Sequence, residues 1–339
     1  MSFLEFVQAQ RQDLPIVPTP ETVTGRTYII TGSNGGIGFE AVKHLVNLGA
    51  SRVIMAVRSL SKGNEAKSRI DSATGRPETL EVWHLDMASY ASIRAFAKKA
   101  ATDLDRVDVL VENATAGLDT WTTSEGMETS ITVNVIGTVL LALLMLPKMR
   151  ETAARTGTNP HIVVVTSGMG FDQKSFTETY ADDDDIFGVL NVEGKTPIHD
   201  RYIPFALHPA ELLQIFVIRQ LASLIPVSRT GVVLNLLSPG LCNTGLARHT
   251  RLAFRVQNFL FNAALGRTPE MGSRTILHAL AAGRDSHGEF ISDCQIKDHW
   301  VPEYVKNASG QRFQERIWSQ LARQLERIEP GSVESIIRD

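Results

Sequence analysis

Cysteine, net charge and unbroken apolar sequence are all in short supply in this chain. Two cysteines in 339 residues, Cys242 and Cys294, make no disulfide framework and fit a reducing compartment. A formal charge of −3 and a pI near 6.3 supply no general attraction to nucleic acid or to an anionic membrane. Basic residues do not cluster with aromatic ones into a stacking platform, which argues against a nucleic-acid surface. The longest apolar stretch, Val133–Pro147, is too short to cross a bilayer and is interrupted by Asn134. The N-terminus has Glu5 where a secretory signal needs a basic start and an apolar core. His161, His199 and His208 have no partner at metal-ligand spacing, so no metal is expected. Ser167 sits in Thr-Ser-Gly, without the glycines of a hydrolase nucleophile elbow. These exclusions leave a cytoplasmic protein whose partner is a small molecule. Its 43% hydrophobic residues are enough to bury a sizeable core.

What is present is concentrated in Gly25–Arg58. An apolar run at Tyr28-Ile29-Ile30 breaks into glycines at Gly32, Gly35, Gly36 and Gly38. Helix-spaced apolar positions follow from Phe39 to Leu48, then a second strand from Val53 to Val57. Strand, tight turn, helix and strand form the unit from which parallel sheets are built. In Gly32, Ser33, Asn34, Gly36, Ile37 and Gly38, the glycines let the backbone approach a pyrophosphate held at the helix N-terminus. Arg58 ends the second strand, where an acidic residue would bind a ribose 2′-hydroxyl and an arginine pairs with a 2′-phosphate. The expected cofactor is therefore NADP(H).

The remaining sequence repeats this alternation. Strands are predicted at Leu80–Met87, Val107–Ala114, His161–Ser167, Gly231–Gly240 and Gly288–Asp293. Helices are predicted at Ser89–Leu104, Glu125–Met149, Pro209–Leu224, Gly272–Ala282 and Gly310–Ile328. Residues 169–208 read as irregular, with the run Asp182–Asp185 as a solvated loop. The fold class is α/β, a doubly wound parallel sheet of Rossmann type with about seven strands and helices on both faces. Residues 1–24 read as an N-terminal adapter and 25–328 as one domain, with 241–310 covering the substrate. Residues 329–339 read as a loose tail.

The motifs TGSNGGIG at 31–38, Arg58, Asp86, Asn113, Asn134, Ser167 and SPGLCNT at 238–244 resemble those of the short-chain dehydrogenase/reductase family over nearly the whole chain. Stretches such as VLVENA and ELLQIFVIRQLA resemble the long reductases of that family found in fungal natural-product pathways. By position, the resemblance implies that Asp86, followed by Met87, contacts the adenine and that Asn113 passes the nicotinamide ribose. It also implies that Pro239 and Thr244 hold the carboxamide, that Ser167 hydrogen-bonds the substrate carbonyl and that Asn134 orders a relay water. A homodimer through the long helix and the Pro209–Leu224 helix is a further implication.

Two departures bear on the chemistry. The family's tyrosine and lysine, four residues apart, fall on Leu207 and Glu211, and no Tyr-x-x-x-Lys occurs anywhere in the chain. Thr115 follows Asn113-Ala114 where glycine is usual, which would crowd the nicotinamide loop. Three readings follow. One is an NADPH-dependent carbonyl reductase with a non-standard proton donor such as Tyr202. The second is a redox-neutral cyclase, isomerase or dehydratase using His208 and Glu211. The third is a binding protein without catalysis. Phe205, Leu241, Leu246, Phe254, Phe259, Leu260 and Phe261 would line a pocket for a hydrophobic substrate.

Overall fold

A computed structural model describes residues 3–118, 120–193, 207–246, 250–334 and 336, without the side chains of 3, 207, 208, 253 and 254. Apart from a two-stranded hairpin at Thr123–Ser124 and Met127–Glu128, the strands are β1 (Thr27–Thr31), β2 (Arg52–Val57), β3 (Leu80–His84), β4 (Val109–Glu112), β5 (His161–Val165), β6 (Val233–Ser238), β7 (Phe290–Ser292) and β8 (Gln295–Ile296). They form one sheet in the order β8-β7-β6-β5-β4-β1-β2-β3. Every pairing is parallel except the β7–β8 edge. β1 through β7 are the strands expected from sequence, and β8 adds a short antiparallel edge. Central strands such as Ile29–Ile30 and Val163–Val164 are buried on both faces, which is why they read as continuous apolar runs.

The main helices are α1 (Phe3–Gln10), α2 (Gly36–Asn47), α3 (Leu60–Thr74), α4 (Tyr90–Asp103), α5 (Thr138–Thr156), α6 (Leu207–Leu224), α7 (Leu252–Leu265), α8 (Pro269–Ala281) and α9 (Ala308–Ile328). α2 and α8 cover one face of the sheet through Val42, Leu45, Ile276 and Leu280. α4, α5, α6 and α9 pack into the other face. α5 is entered through a π-helical turn, Thr132–Gly137, and the combined helix is long and apolar enough to span a membrane by composition alone. Its most apolar window is 89% buried within the fold, so it serves as a core helix.

α9 lies across α6, with Phe216 and Phe313 rings 5.2 Å apart and Gln314 Nε2 donating to Gln220 Oε1 at 2.8 Å. α4 packs in the same way against α5. Part of the surface of α6, one of the helices named for a homodimer, is thus occupied by α9 of the same chain. Among the described residues of the tail, Val333 and Ile336 are buried and the Glu326 carboxylate accepts from the N–H groups of Gly331, Val333 and Glu334. The acidic run is spent locally: Asp185 caps the turn Ile186–Leu190, and Asp182 and Asp184 pair with Arg316.

Candidate active site

Strand order reverses between β1 and β4, so the crevice at their C-terminal ends is where a doubly wound sheet binds ligands. The loops after β1, β4, β5 and β6 all open there. Gly32 and Gly36 have φ of +65° and +61°, the left-handed conformation that a side chain disfavours. Space is also lacking at Gly32, where a Cβ would lie 2.9 Å from Ala114 Cα. Asn113 pins this turn, its Nδ2 donating to the Thr31 carbonyl at 2.8 Å. In return, Thr31 Oγ1 accepts from the N–H groups of Asn113 and Ala114. Ser33 is buried and donates from Oγ to the Ile30 carbonyl, while Asn34 is half-buried on the turn. Asn113 and Ser33 therefore build the turn rather than project from it.

Gly35 caps α2 with no side chain, leaving the first N–H groups of the helix available to an anion. Ile37 and Gly38 are buried beneath that helix start, and Thr244 closes over Gly36, 3.5 Å from where its Cβ would stand. Pro239 is fixed through its carbonyl, which accepts from Arg267 Nη1 at 3.0 Å. Arg267 itself is buried in an ion pair with Asp293, which also pairs with Lys297. Arg58 is exposed at the end of β2 and makes no hydrogen bond or ion pair among the described residues. Asp86 is half-buried, with Oδ1 accepting from the Ala88 N–H; Met87 is buried, its carbonyl against Gly137. A left-handed glycine turn, an uncapped helix start and a free guanidinium at the ribose position form a donor set that fits a phosphorylated dinucleotide.

The reactive end is built differently. Ser167 follows β5 and caps the turn Gly168–Asp172, its Oγ accepting from the Met169 N–H at 3.2 Å. That turn packs on the start of α6: a Cβ on Gly170 would lie 2.8 Å from the Leu212 nitrogen and 3.1 Å from the Glu211 carbonyl carbon. Glu211 is half-buried as a residue, but its Oε2 is sealed from solvent without a hydrogen-bond partner. Burial pushes its carboxyl up to about 8, so it is mostly protonated at neutral pH. Three residues on, and hence on the same helical face, Gln214 Nε2 donates to the Asn134 carbonyl at 2.9 Å. The start of α6 is thus held between the Ser167 turn and the π-helical turn carrying Asn134.

Asn134 commits its side chain to Ala116, accepting from the backbone N–H at 2.9 Å and donating to the carbonyl at 3.1 Å. Its backbone carbonyl accepts from the Gln214 amide. The Thr115 backbone is not left-handed, and its hydroxyl meets Asn134 Oδ1 at 3.4 Å. Tyr202, the side chain of His208, Phe205 and the side chain of Phe254 lie outside the described residues. Phe259, Leu260 and Phe261, expected in a pocket, are exposed.

Two residues escaped the sequence reading. Gln214 was detectable in principle by its spacing from Glu211. Glu112 was not, because it ends a buried strand in which every other residue is apolar. It shares a sheet row with Val164, and both its oxygens are buried without a partner. Burial holds its carboxyl well above the usual carboxylate range.

The short chain dehydrogenase profile matches residues 26–181. The short chain dehydrogenase/reductase dmxR8 of Cryptosporiopsis sp. is 40% identical over 311 residues, which cover 91% of this chain and 93% of that protein. The short chain dehydrogenase atnD of Emericella nidulans is 38% identical over 269 residues, covering 78% and 83% of the two chains. Among solved structures, the NADPH-bound carbonyl reductase from chicken fatty liver superposes with a TM-score of 0.58 at 20% identity. The match covers 80% of this chain and 97% of that one, and demonstrates a common fold. Family profile, relatives and fold agree: the chain belongs to the short-chain dehydrogenase/reductase family.

Proposed function

We propose that the protein is an NADPH-dependent carbonyl reductase acting on a hydrophobic small molecule of the fungal secondary-metabolite type, with Glu211 as proton donor. The observation that carries this reading is Glu211 near the start of α6, with Oε2 sealed from solvent and its backbone packed against the turn that Ser167 caps. The free Arg58 guanidinium and the uncapped start of α2 support NADP(H), with Asp86, Met87, Asn113, Pro239 and Thr244 around it. The cofactor supplies a hydride when bound; the chain's own residues must supply orientation and a proton. Ser167 Oγ–H donates to the substrate oxygen and polarises the carbonyl. The Glu211 acid, protonated up to about pH 8, then gives its proton to the alkoxide oxygen as the alcohol forms. Gln214, by holding the Asn134 carbonyl, keeps α6 and the π turn in register beneath the acid.

Replacing Glu211 with Gln while following NADPH oxidation tests this. The expected result is loss of turnover with NADPH affinity kept. Full activity in that variant, with loss in Tyr202→Phe, would move the donor role to Tyr202.

A redox-neutral reading, as a cyclase, isomerase or dehydratase, has one specific support. A carboxyl at about 8 leaves a basic fraction near neutral pH, and Leu207 and Glu211 replace the family's Tyr and Lys. Substrate conversion without NADPH consumption would favour it.

A further inference from the structure

α7 is turned inside out for a soluble protein. Its polar Asn262 is buried, with Asn258 half-buried beside it, and Asn262 Nδ2 donates to the Asn258 carbonyl at 2.8 Å. Its apolar residues face the solvent instead. Leu252 is 72% exposed, Val256 53%, Phe259 64% and Leu260 63%. With exposed Ala263 they follow the i, i+4, i+7, i+8, i+11 pattern, a single stripe about 100° wide. α1 extends the surface, with Leu4 71% exposed and Phe6 stacked on Phe261 at 6.4 Å. Exposed apolar surface on this scale marks an interaction site.

The surrounding charge is one-sided. α7 and the residue before it carry Arg251 and Arg255 and no Asp or Glu. Arg251 and Arg255 are exposed at the start and on the flank of the stripe. Glu5, on α1, is the nearest acid in sequence terms within the two helices. The net charge of −3 averages this asymmetry away. The ridge is also convex, since exposed residues run around most of the helix from Arg255 to Ala264. A stable dimer needs about 800 Å² per partner, whereas a 14-residue helix offers a strip about 21 Å long and roughly 10 Å wide.

We propose that α7, with the start of α1, is a peripheral membrane-docking ridge that lies in the headgroup region of an anionic lipid surface. Leu252, Val256, Phe259 and Leu260 enter the acyl boundary, and Arg251 and Arg255 meet lipid phosphates. The ridge follows the β6 loop: Gln10 Nε2 donates to the carbonyls of Leu241 and Leu265, which ties α1, α7 and the loop carrying Pro239 and Thr244 together. Docking would therefore set the mouth of the crevice beside the lipid, an orientation suited to an apolar ligand. The composition-based expectation of no membrane partner concerned the chain's average charge; this site is local. It stands independently of the catalytic reading.

Sedimentation of the purified full chain with phosphatidylcholine vesicles, with and without phosphatidylserine, is the test. The expected result is co-sedimentation favoured by phosphatidylserine and reduced about tenfold or more in Phe259→Ser/Leu260→Ser, whose removed side chains are already exposed. Arg255→Glu should remove the anionic preference and leave residual binding. An unchanged thermal midpoint and NADPH affinity in these variants would show that the fold is intact. Wild-type protein that stays in the supernatant with both vesicles overturns the proposal. So does a wild-type dimer that the double variant converts to monomer without any vesicle binding, because the ridge would then serve a second copy.

Discussion

The two ends of the crevice were kept by different means. At the nucleotide end, backbone geometry does the work: left-handed Gly32 and Gly36, the uncapped helix start, and Asn113 tying β4 to the turn. At the other end, in the proposed reading, side chains carry the chemistry, and Leu207 and Glu211 stand where the resemblance puts the family's tyrosine and lysine. A backbone cradle tolerates almost no substitution, because a Cβ at Gly32 collides with Ala114. A proton donor can be replaced by any group of suitable acidity within reach, and in the proposed reading Glu211, whose carboxyl burial pushes up to about 8, is that group.

That contrast is broken most severely at Glu211. Glu211→Gln should lower kcat by about 10²–10⁴-fold with NADPH affinity unchanged. In the wild type, kcat should fall as pH rises through about 8, because the acid form disappears. A flat profile from about two units below that value to about one unit above it would remove Glu211 from the proton step. At the other end, Arg58→Ala should weaken NADPH by roughly ten- to a hundredfold, as expected for a lost charge-assisted phosphate contact, and leave NADH alone. Equal losses for both cofactors would deny the guanidinium its phosphate. Gly32→Ala should destabilise the fold by about 1–2 kcal/mol through the left-handed strain, more if Ala114 cannot shift, and should weaken both cofactors together. Thermal melts and binding titrations on the same samples measure both effects.

What could be read from sequence follows the same division. The glycine turn is spelled out because each glycine answers a local backbone demand, and the strands are legible because burial on both faces makes them continuously apolar. The reactive end depends on long-range contacts. Gln214 reaches Asn134 across 80 positions. The π turn at Thr132–Gly137 has no signature in the apolar pattern of the helix it begins. α9 reads as an ordinary amphipathic helix, and only packing reveals that its apolar face is spent on α6. The α7 stripe looks like pocket lining in sequence because periodicity gives a face but not its direction.

Glu112 separates the two ends in a subtler way, through stability. It ends β4 one residue before Asn113, is 3% exposed, and has no partner for either oxygen. Its folded-state acidity lies well above the ordinary value of 4.5, and desolvation is the cause. Below that ordinary value both folded and unfolded chains carry the proton, so the site is indifferent to pH. Above it the unfolded chain ionises while the folded chain does not, and stability falls until pH passes the folded value. Glu112→Gln removes the ionisation while nearly keeping the shape, although its amide must also go unpaired, so its absolute stability is a poor guide. The pH slope is the informative quantity. The thermal midpoint of Glu112→Gln relative to wild type should rise steadily between pH 4.5 and 8, spanning the ordinary value of Glu112 and the raised value of Glu211. Parallel curves would mean that Glu112 is ionised in the fold and has found a counter-charge. The carboxyl beside the nucleotide turn would then belong to the electrostatics of the cradle rather than to its packing.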